Sequence, residues 1–199
     1  FTVDHADMLG DHWMFGKDGY FDPAFHIPLI VRDPRRDADA GRGRVVESFT
    51  EAVDLMPTIV EWLGGEIPRQ CDGRSLRPFL EGREPEDWRT AAHWEYDFRD
   101  VLGGRAETAL GLDSDSCSLA VHREARFKYV HFAGLPPLLF DLEADPGEFR
   151  DLSGEPEHQA TLLRCAQEML SWRMRHAERT LSNLLITPRG VVDGSSRPS

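Results

Sequence analysis

The chain has 199 residues, of which 40% are hydrophobic and 29% charged, and its formal net charge is −12 at neutral pH. That suits a soluble globular chain of one domain, or one small domain with part of another. The acidic balance argues against a nucleic-acid partner, which requires clustered Lys and Arg, and no apolar run approaches the roughly 20 residues of a membrane-spanning helix.

The opening residues are too polar for the apolar core of a signal peptide, although Phe1 is not a natural start and the true N-terminus can lie further upstream. Cys71, Cys117 and Cys165 are widely spaced and form neither a C-x-x-C pair nor a zinc pattern. They read as free, mostly buried thiols in a reducing compartment, and a cytoplasmic location is the expectation.

In chain order, Phe1–Val3 reads as the end of a buried strand, and Ile27–Val31 in "HIPLIVRDP" as a second strand buried on both faces in a parallel sheet. "DLMPTIVEWLGG" predicts a helix with Asp54 as N-cap, Pro57 in its first turn, a face of Leu55, Ile59 and Leu63, and Gly64-Gly65 as its stop. "GRSLRPFLEG" repeats that grammar with Ser75 as cap and Gly82 as stop.

From "AAHWEYDF" onward the pattern alternates, through "CSLAVH", "RFKYVHF" and "PPLLFDL". This predicts antiparallel strands with one wet face. The longest helix is expected from Pro156 to about Arg179, with Leu162, Leu163, Ala166, Met169, Leu170 and Met174 as its apolar stripe and Arg164, Glu168, Arg173 and Arg175 in water. "GVVDGSSRPS" is expected to fray. The expected organisation is 1–87 as the closing part of an α/β domain, 88–182 as a small antiparallel sheet with one packed helix, and 183–199 as a C-terminal arm or tail.

Asp-His occurs twice near the start, at Asp4-His5 and Asp11-His12, and Lys17 follows in a Gly16-Lys17-Asp18-Gly19 loop. A carboxylate and an imidazole at a strand's carboxyl end can reach one cation, since ligands of open α/β sheets bind at that edge. Mixed oxygen and nitrogen ligation suits Mn²⁺, Zn²⁺ or a tolerant Ca²⁺ site. Lys17 is a compact cation suited to sulfate or phosphate oxygens. Each residue alone reads as ordinary loop decoration, and Asp11 and His12 serve equally as helix cap or backbone acceptor.

The order of these residues is more specific. "DHADMLGDHWMFGKDGYFDPAFHIPLIV" resembles the sulfatase family of the alkaline-phosphatase superfamily, whose pattern runs Asp-His-Gly, Leu-Gly-Asp-His, Gly-Lys and Val/Ile-Pro-Leu-Ile. "VDLMPTIVEWLGG" with "CDGRSL", and "FKYVHF" with "LLFDLEADPGEFRDL", are similar to two further family segments in the right order. The wording leans toward the phosphonate monoester hydrolase and arylsulfatase branch.

The resemblance implies the C-terminal part of an alkaline-phosphatase-like α/β sheet followed by the small antiparallel sheet and helix. It implies Asp4 and His5 as two ligands of a single divalent metal (Mn, Ca or Zn, with Ca or Mn preferred), and Lys17 as the catalytic residue on the ester oxygens, with His12 as a weaker substrate contact. The substrate would be a small anionic sulfate, phosphonate or phosphate ester. The family's formylglycine nucleophile arises from a Cys-x-Pro-x-Arg motif, which none of the three cysteines begins; it is expected upstream, so this chain alone is expected to be inactive. Val3 stands for the usual Ser and Ala6 for the usual Gly, and Ala6 would be strained if that position needs positive φ. The alternative is a non-catalytic fragment or assembly module, with "RTLSNLLITPRGVV" packing on a second copy as a homo-oligomer contact.

Overall fold

The computed structural model describes residues 1–68, 70–177 and 184–193. The first 90 residues carry three short helices joined by long connections: α1 (Asp22–Phe25), α2 (Leu55–Trp62) and α3 (Arg77–Leu80). The alternating second half forms β1 (Ala91–Asp97), helix α4 (Arg105–Leu110), β2 (Ser118–Glu124), β3 (Phe127–Phe132) and β4 (Leu138–Asp141). These four strands pair antiparallel in sequence order, with His93 opposite His122, Val121 opposite Val130 and Tyr129 opposite Leu139. Helix α5 (Gln159–Arg175) follows a single tight turn at Pro156–His158, and β5 (Leu184–Thr187) pairs with β6 (Gly190–Asp193). The chain is thus mixed α/β, with a four-stranded antiparallel sheet, a long helix and a small hairpin.

Period-two alternation places Ala120, Tyr129 and Leu139 on one face of the sheet, where Leu152, Cys165 and Met169 cover them with Leu162 and Ala166 alongside. Leu119, Val121, Val130 and Phe140 occupy the other face, under Trp94, Tyr96, Phe98, Phe132 and the early Tyr20. Both faces of β2 and β3 are therefore covered, and the expected wet face does not occur there. The reason lies in the polar positions: His122 and Lys128 alternate with the apolar residues but are themselves buried and paired. Leu139 is fully buried, and truncating such a leucine to alanine costs roughly 2–5 kcal/mol.

Several local expectations need correction. Phe1–Val3 and Ile27–Val31 do not form long buried strands; among the described residues they meet in one isolated antiparallel bridge, Thr2 to Leu29, with Phe1 and Ile30 largely exposed. In α2 the buried residues are Pro57 and Thr58, whereas Ile59 and Leu63 face outward. The Thr58 hydroxyl donates to the Asp54 carbonyl and accepts from the Leu76 amide, which turns that side inward. In α5 the packed row is Leu162, Cys165, Ala166 and Met169, while Leu163, Leu170 and Met174 are exposed. The helix ends its regular hydrogen bonding at Arg175, and Arg179 lies outside the described residues. The expected fraying at the tail is replaced, over Gly190–Asp193, by pairing with Leu184–Thr187; residues 194–199 lie outside the description.

Asp54 stands at the N-cap position of α2 but makes no side-chain capping bond to that helix. Fully buried, it accepts from the amides of Glu51 and Arg74 and takes both arms of the Arg89 guanidinium. That centre ties α2 to the start of β1. Gly73 passes so close to it that a Cβ there would lie 2.0 Å from the Val53 carbonyl oxygen, so the backbone approach requires glycine.

Candidate active site

Residues 7–16 form one closed loop, with Asp4 and His5 just before it and Lys17 just after. Asp7 organises it: Oδ1 accepts from the Leu9 amide at 2.9 Å and the Gly16 amide at 3.1 Å. Met8 N to Gly16 O and Gly10 N to Met14 O complete the closure. Lys17 therefore follows a residue held to Asp7, and precedes Asp18, whose Oδ1 accepts from the Tyr96 hydroxyl at 2.6 Å. Both neighbours of Lys17 are tied down while Lys17 itself is exposed. Burial, and then the Asp18 hydrogen bond, push the Tyr96 hydroxyl up to about 12, so it remains a donor.

Asp4 and His5 lie together, with His5 Nε2 3.7 Å from Asp4 Oδ2. His5 Nδ1 is 2.7 Å from the Ala6 carbonyl oxygen. A carbonyl only accepts, so Nδ1 donates to Ala6, and Nε2 is the ring nitrogen left for another partner. The backbone N–H groups of Asp4 and His5 hold the Asp4 carboxyl below the usual carboxylate range, with further contributions from His5 and Lys17. An ionised, exposed oxygen beside an oriented imidazole nitrogen fits a divalent cation, and the hydrogen bond to Ala6 is the kind of outer contact that fixes a metal-ligating histidine. Two ligands leave the coordination open for donors from elsewhere. Ala6 is not strained: Leu9, His12, Trp13 and Glu148 are the non-glycine residues with positive φ among the described residues, and the Ala6 amide donates to Ala24 O at 3.0 Å.

Leu9, His12 and Trp13 sit in the left-handed region within this loop, with φ of 49°, 49° and 58°. Each such residue costs about 1–3 kcal/mol and persists only where the surroundings over-determine it. For His12 the surroundings are aromatic. Its ring lies between Phe21, at a centroid distance of 3.7 Å, and Phe149, at 4.6 Å. His12 is thus placed in the loop with both ring faces occupied.

The loop is joined to the antiparallel sheet by a buried ion cluster. Lys128 Nζ donates to Asp22 Oδ1 and to the Tyr20 carbonyl, each at 2.9 Å, and pairs with Glu148. Glu148 in turn accepts from the Asp22 amide, and Arg123 holds the other Asp22 oxygen. The Lys-Tyr strand, the Asp-Pro-Gly-Glu turn and the segment bearing Lys17 therefore meet at one point.

A second polar cluster lies between β1, β2 and α5. His122 Nδ1 is 2.8 Å from His93 Nε2, and His122 Nε2 is 3.0 Å from Glu124 and 3.2 Å from Glu168. His93 stacks on Trp172 at 4.3 Å. Burial, then the charge of His122, pull the His93 imidazole down to about 3. His122, Glu124 and Cys165 are close enough to share an ion, but Arg164 already engages both Glu124 oxygens as the resident cation.

The expected site residues Asp4, His5, His12 and Lys17 all lie in or beside this loop, and the residues that support it were not among those expected. Asp7 acts within the loop, whereas Tyr96, Lys128, Glu148 and Phe149 act across long separations, and the visible hint was Lys128, a lone polar residue inside an alternating apolar run.

An α/β chain whose loop gathers Asp, His and Lys ahead of this sheet and helix is of the type found at the C-terminal end of sulfatase-like hydrolases. The chain belongs to that family: residues 10–175 match the family described as N-sulphoglucosamine sulphohydrolase, C-terminal. It is 51% identical over 192 residues to the multifunctional alkaline phosphatase superfamily protein PehA of Trinickia caryophylli, covering 96% of this chain and 37% of that protein. The crystal structure of a phosphonate monoester hydrolase of Agrobacterium radiobacter superposes with a TM-score of 0.88 at 50% identity, over 100% of this chain and 38% of that one. An arylsulfatase of Clostridium perfringens is 29% identical over 159 residues, covering 80% of this chain and 30% of that protein. The chain thus spans less than two fifths of the length of each of these relatives. Among the described residues no helix is long and apolar enough to cross a membrane.

Proposed function

We propose that this chain supplies the C-terminal half of the active site of a longer, metal-dependent hydrolase of sulfate, phosphonate or phosphate esters. The observation that carries the reading is the arrangement of Asp4, His5 and Lys17: an ionised carboxylate, an imidazole whose Nε2 lies 3.7 Å from it, and a lysine whose two neighbours are anchored. Asp4 and His5 bind the cation, Ca²⁺ or Mn²⁺ in preference to Zn²⁺ on the strength of the family resemblance, since a mixed carboxylate and imidazole pair by itself accepts all three. A bound divalent ion there supplies Lewis-acid polarisation of an ester oxygen. Lys17 faces the charge that develops on the non-bridging or leaving oxygen, where a preorganised cation acts without reorganisation. His12, both of whose faces are filled, serves the loop more than the substrate.

The remaining parts of the site follow from the same reading. The nucleophile, a formylglycine, and the other metal ligands come from chain that precedes these residues, which makes this chain alone inactive. Residues 1–87 complete the catalytic α/β domain, 88–182 form the subdomain that braces it, and 183–199 are an arm. The β5–β6 hairpin exposes Ile186, Val191 and Val192, which supports packing on a second copy.

The test is turnover by the full-length enzyme bearing this chain. It should hydrolyse an aryl sulfate or an aryl phosphonate monoester, lose that activity to a chelator and regain it with Mn²⁺ or Ca²⁺. Chelator-resistant turnover, or none of either ester, would overturn the reading.

A further inference from the structure

Phe149 is out of place as a core residue. The residue is 70% exposed, yet its ring stacks on His12 at 4.6 Å with an interplanar angle of 25°. Both of its chain neighbours are anchored. Glu148 is buried, has a φ of 57°, donates its amide to Asp145 O, and holds Lys128 and the Asp22 amide through its carboxylate. Arg150 donates its amide to Asp145 Oδ2 at 2.7 Å. The turn therefore presents the phenyl ring from a fixed position.

That ring closes the outer side of His12, while Phe21 fills the inner side at 3.7 Å. His12 and Trp13 are left-handed, and Met14 and Gly16 then return the chain to Gly10 and Asp7 just before Lys17. Phe149 buries little area, so its contact contributes little to global stability. What it does restrict is the backbone of a strained loop.

We propose that Phe149 is a positioning residue for Lys17, acting through His12. The aromatic stack keeps His12 left-handed, and His12 fixes the loop that sets the direction of the Lys17 ammonium. The proposal rests on the assignment of Lys17 to the ester oxygens.

A double-mutant cycle in the full-length enzyme tests it, with an aryl sulfate or aryl phosphonate monoester as substrate. Phe149→Ala should lower kcat/KM about tenfold, in kcat more than in KM, since misplacing a reacting group by an ångström carries penalties of that order or more. Phe149→Tyr should restore the rate and Phe149→Leu should not, because a flat ring is required. In the Lys17→Ala enzyme, Phe149→Ala should change the rate by less than about twofold, the mark of two residues acting as a unit. An equal loss in both backgrounds would make Phe149 merely structural and overturn the proposal, as would a Phe149→Ala enzyme that matches wild type while Lys17→Ala is impaired. A Lys17→Ala enzyme with unchanged kinetics would overturn the role of the lysine itself, and the clamp with it.

Discussion

Lys128 on β3 donates its ammonium to Asp22 on α1 at 2.9 Å, across a sequence separation of 106 residues. With Glu148 on its other side and the Tyr20 carbonyl as a third acceptor, this fully buried lysine is the point at which the sheet grips the segment bearing Asp4, His5 and Lys17. A buried ion cluster is costly to desolvate, and breaking one by removing a single partner leaves uncompensated charge.

Lys128→Met keeps much of the volume but strands the carboxylates of Asp22 and Glu148 together. It should lower unfolding free energy by about 3–5 kcal/mol, and urea titration will read the loss. Asp22 keeps Arg123, which limits the damage on that side. A loss below about 1 kcal/mol, the scale of a surface pair, would show that the cluster does not bind the two parts of the chain together.

His93 governs part of the acid limb of stability. Its imidazole is held down to about 3 in the folded chain, against 6.5 when exposed. Between those values the unfolded chain binds the extra proton, so stability is fully present above about pH 6.5 and falls as the pH drops toward 3. The slope from this one group is at most about 1.4 kcal/mol per pH unit. His93→Gln should flatten the curve in that window by close to one proton; an unchanged slope would contradict the assignment.

The thiols should divide by burial. Cys117 and Cys165 are fully buried, and burial pushes both up, Cys165 to about 11. Cys71 is only half-buried. A thiol-disulfide reagent should therefore titrate one cysteine quickly in the native protein and all three in denaturant, because the thiolate is the reactive form. Rapid reaction at two or more native sites would contradict the burial of Cys117 or Cys165.

Much of this arrangement is legible in the sequence. The four strands follow from period-two alternation, and α5 from its apolar spacing. What misleads is any side chain whose environment is set from afar. His122 and Lys128 look wet because they are polar, and are buried because His93 and Glu168, and for Lys128 Asp22, arrive from other elements to satisfy them. In α5, rows containing Leu163 or Cys165 are both apolar, and only the sheet decides which row is covered. The Asp4, His5 and Lys17 spacing is visible because a local loop creates it. Phe149 is invisible because nothing in its neighbourhood of sequence mentions His12.

The most direct test of the account is the metal content of the full-length enzyme, read by elemental analysis beside its turnover. Wild type should carry close to one divalent ion per chain. Asp4→Ala and His5→Ala should each lose that ion and lower kcat/KM by about a hundredfold or more, the scale of removing one electrostatic partner of the transition state. A variant lacking either side chain that retains both the ion and the rate would contradict the assignment of Asp4 and His5 as metal ligands.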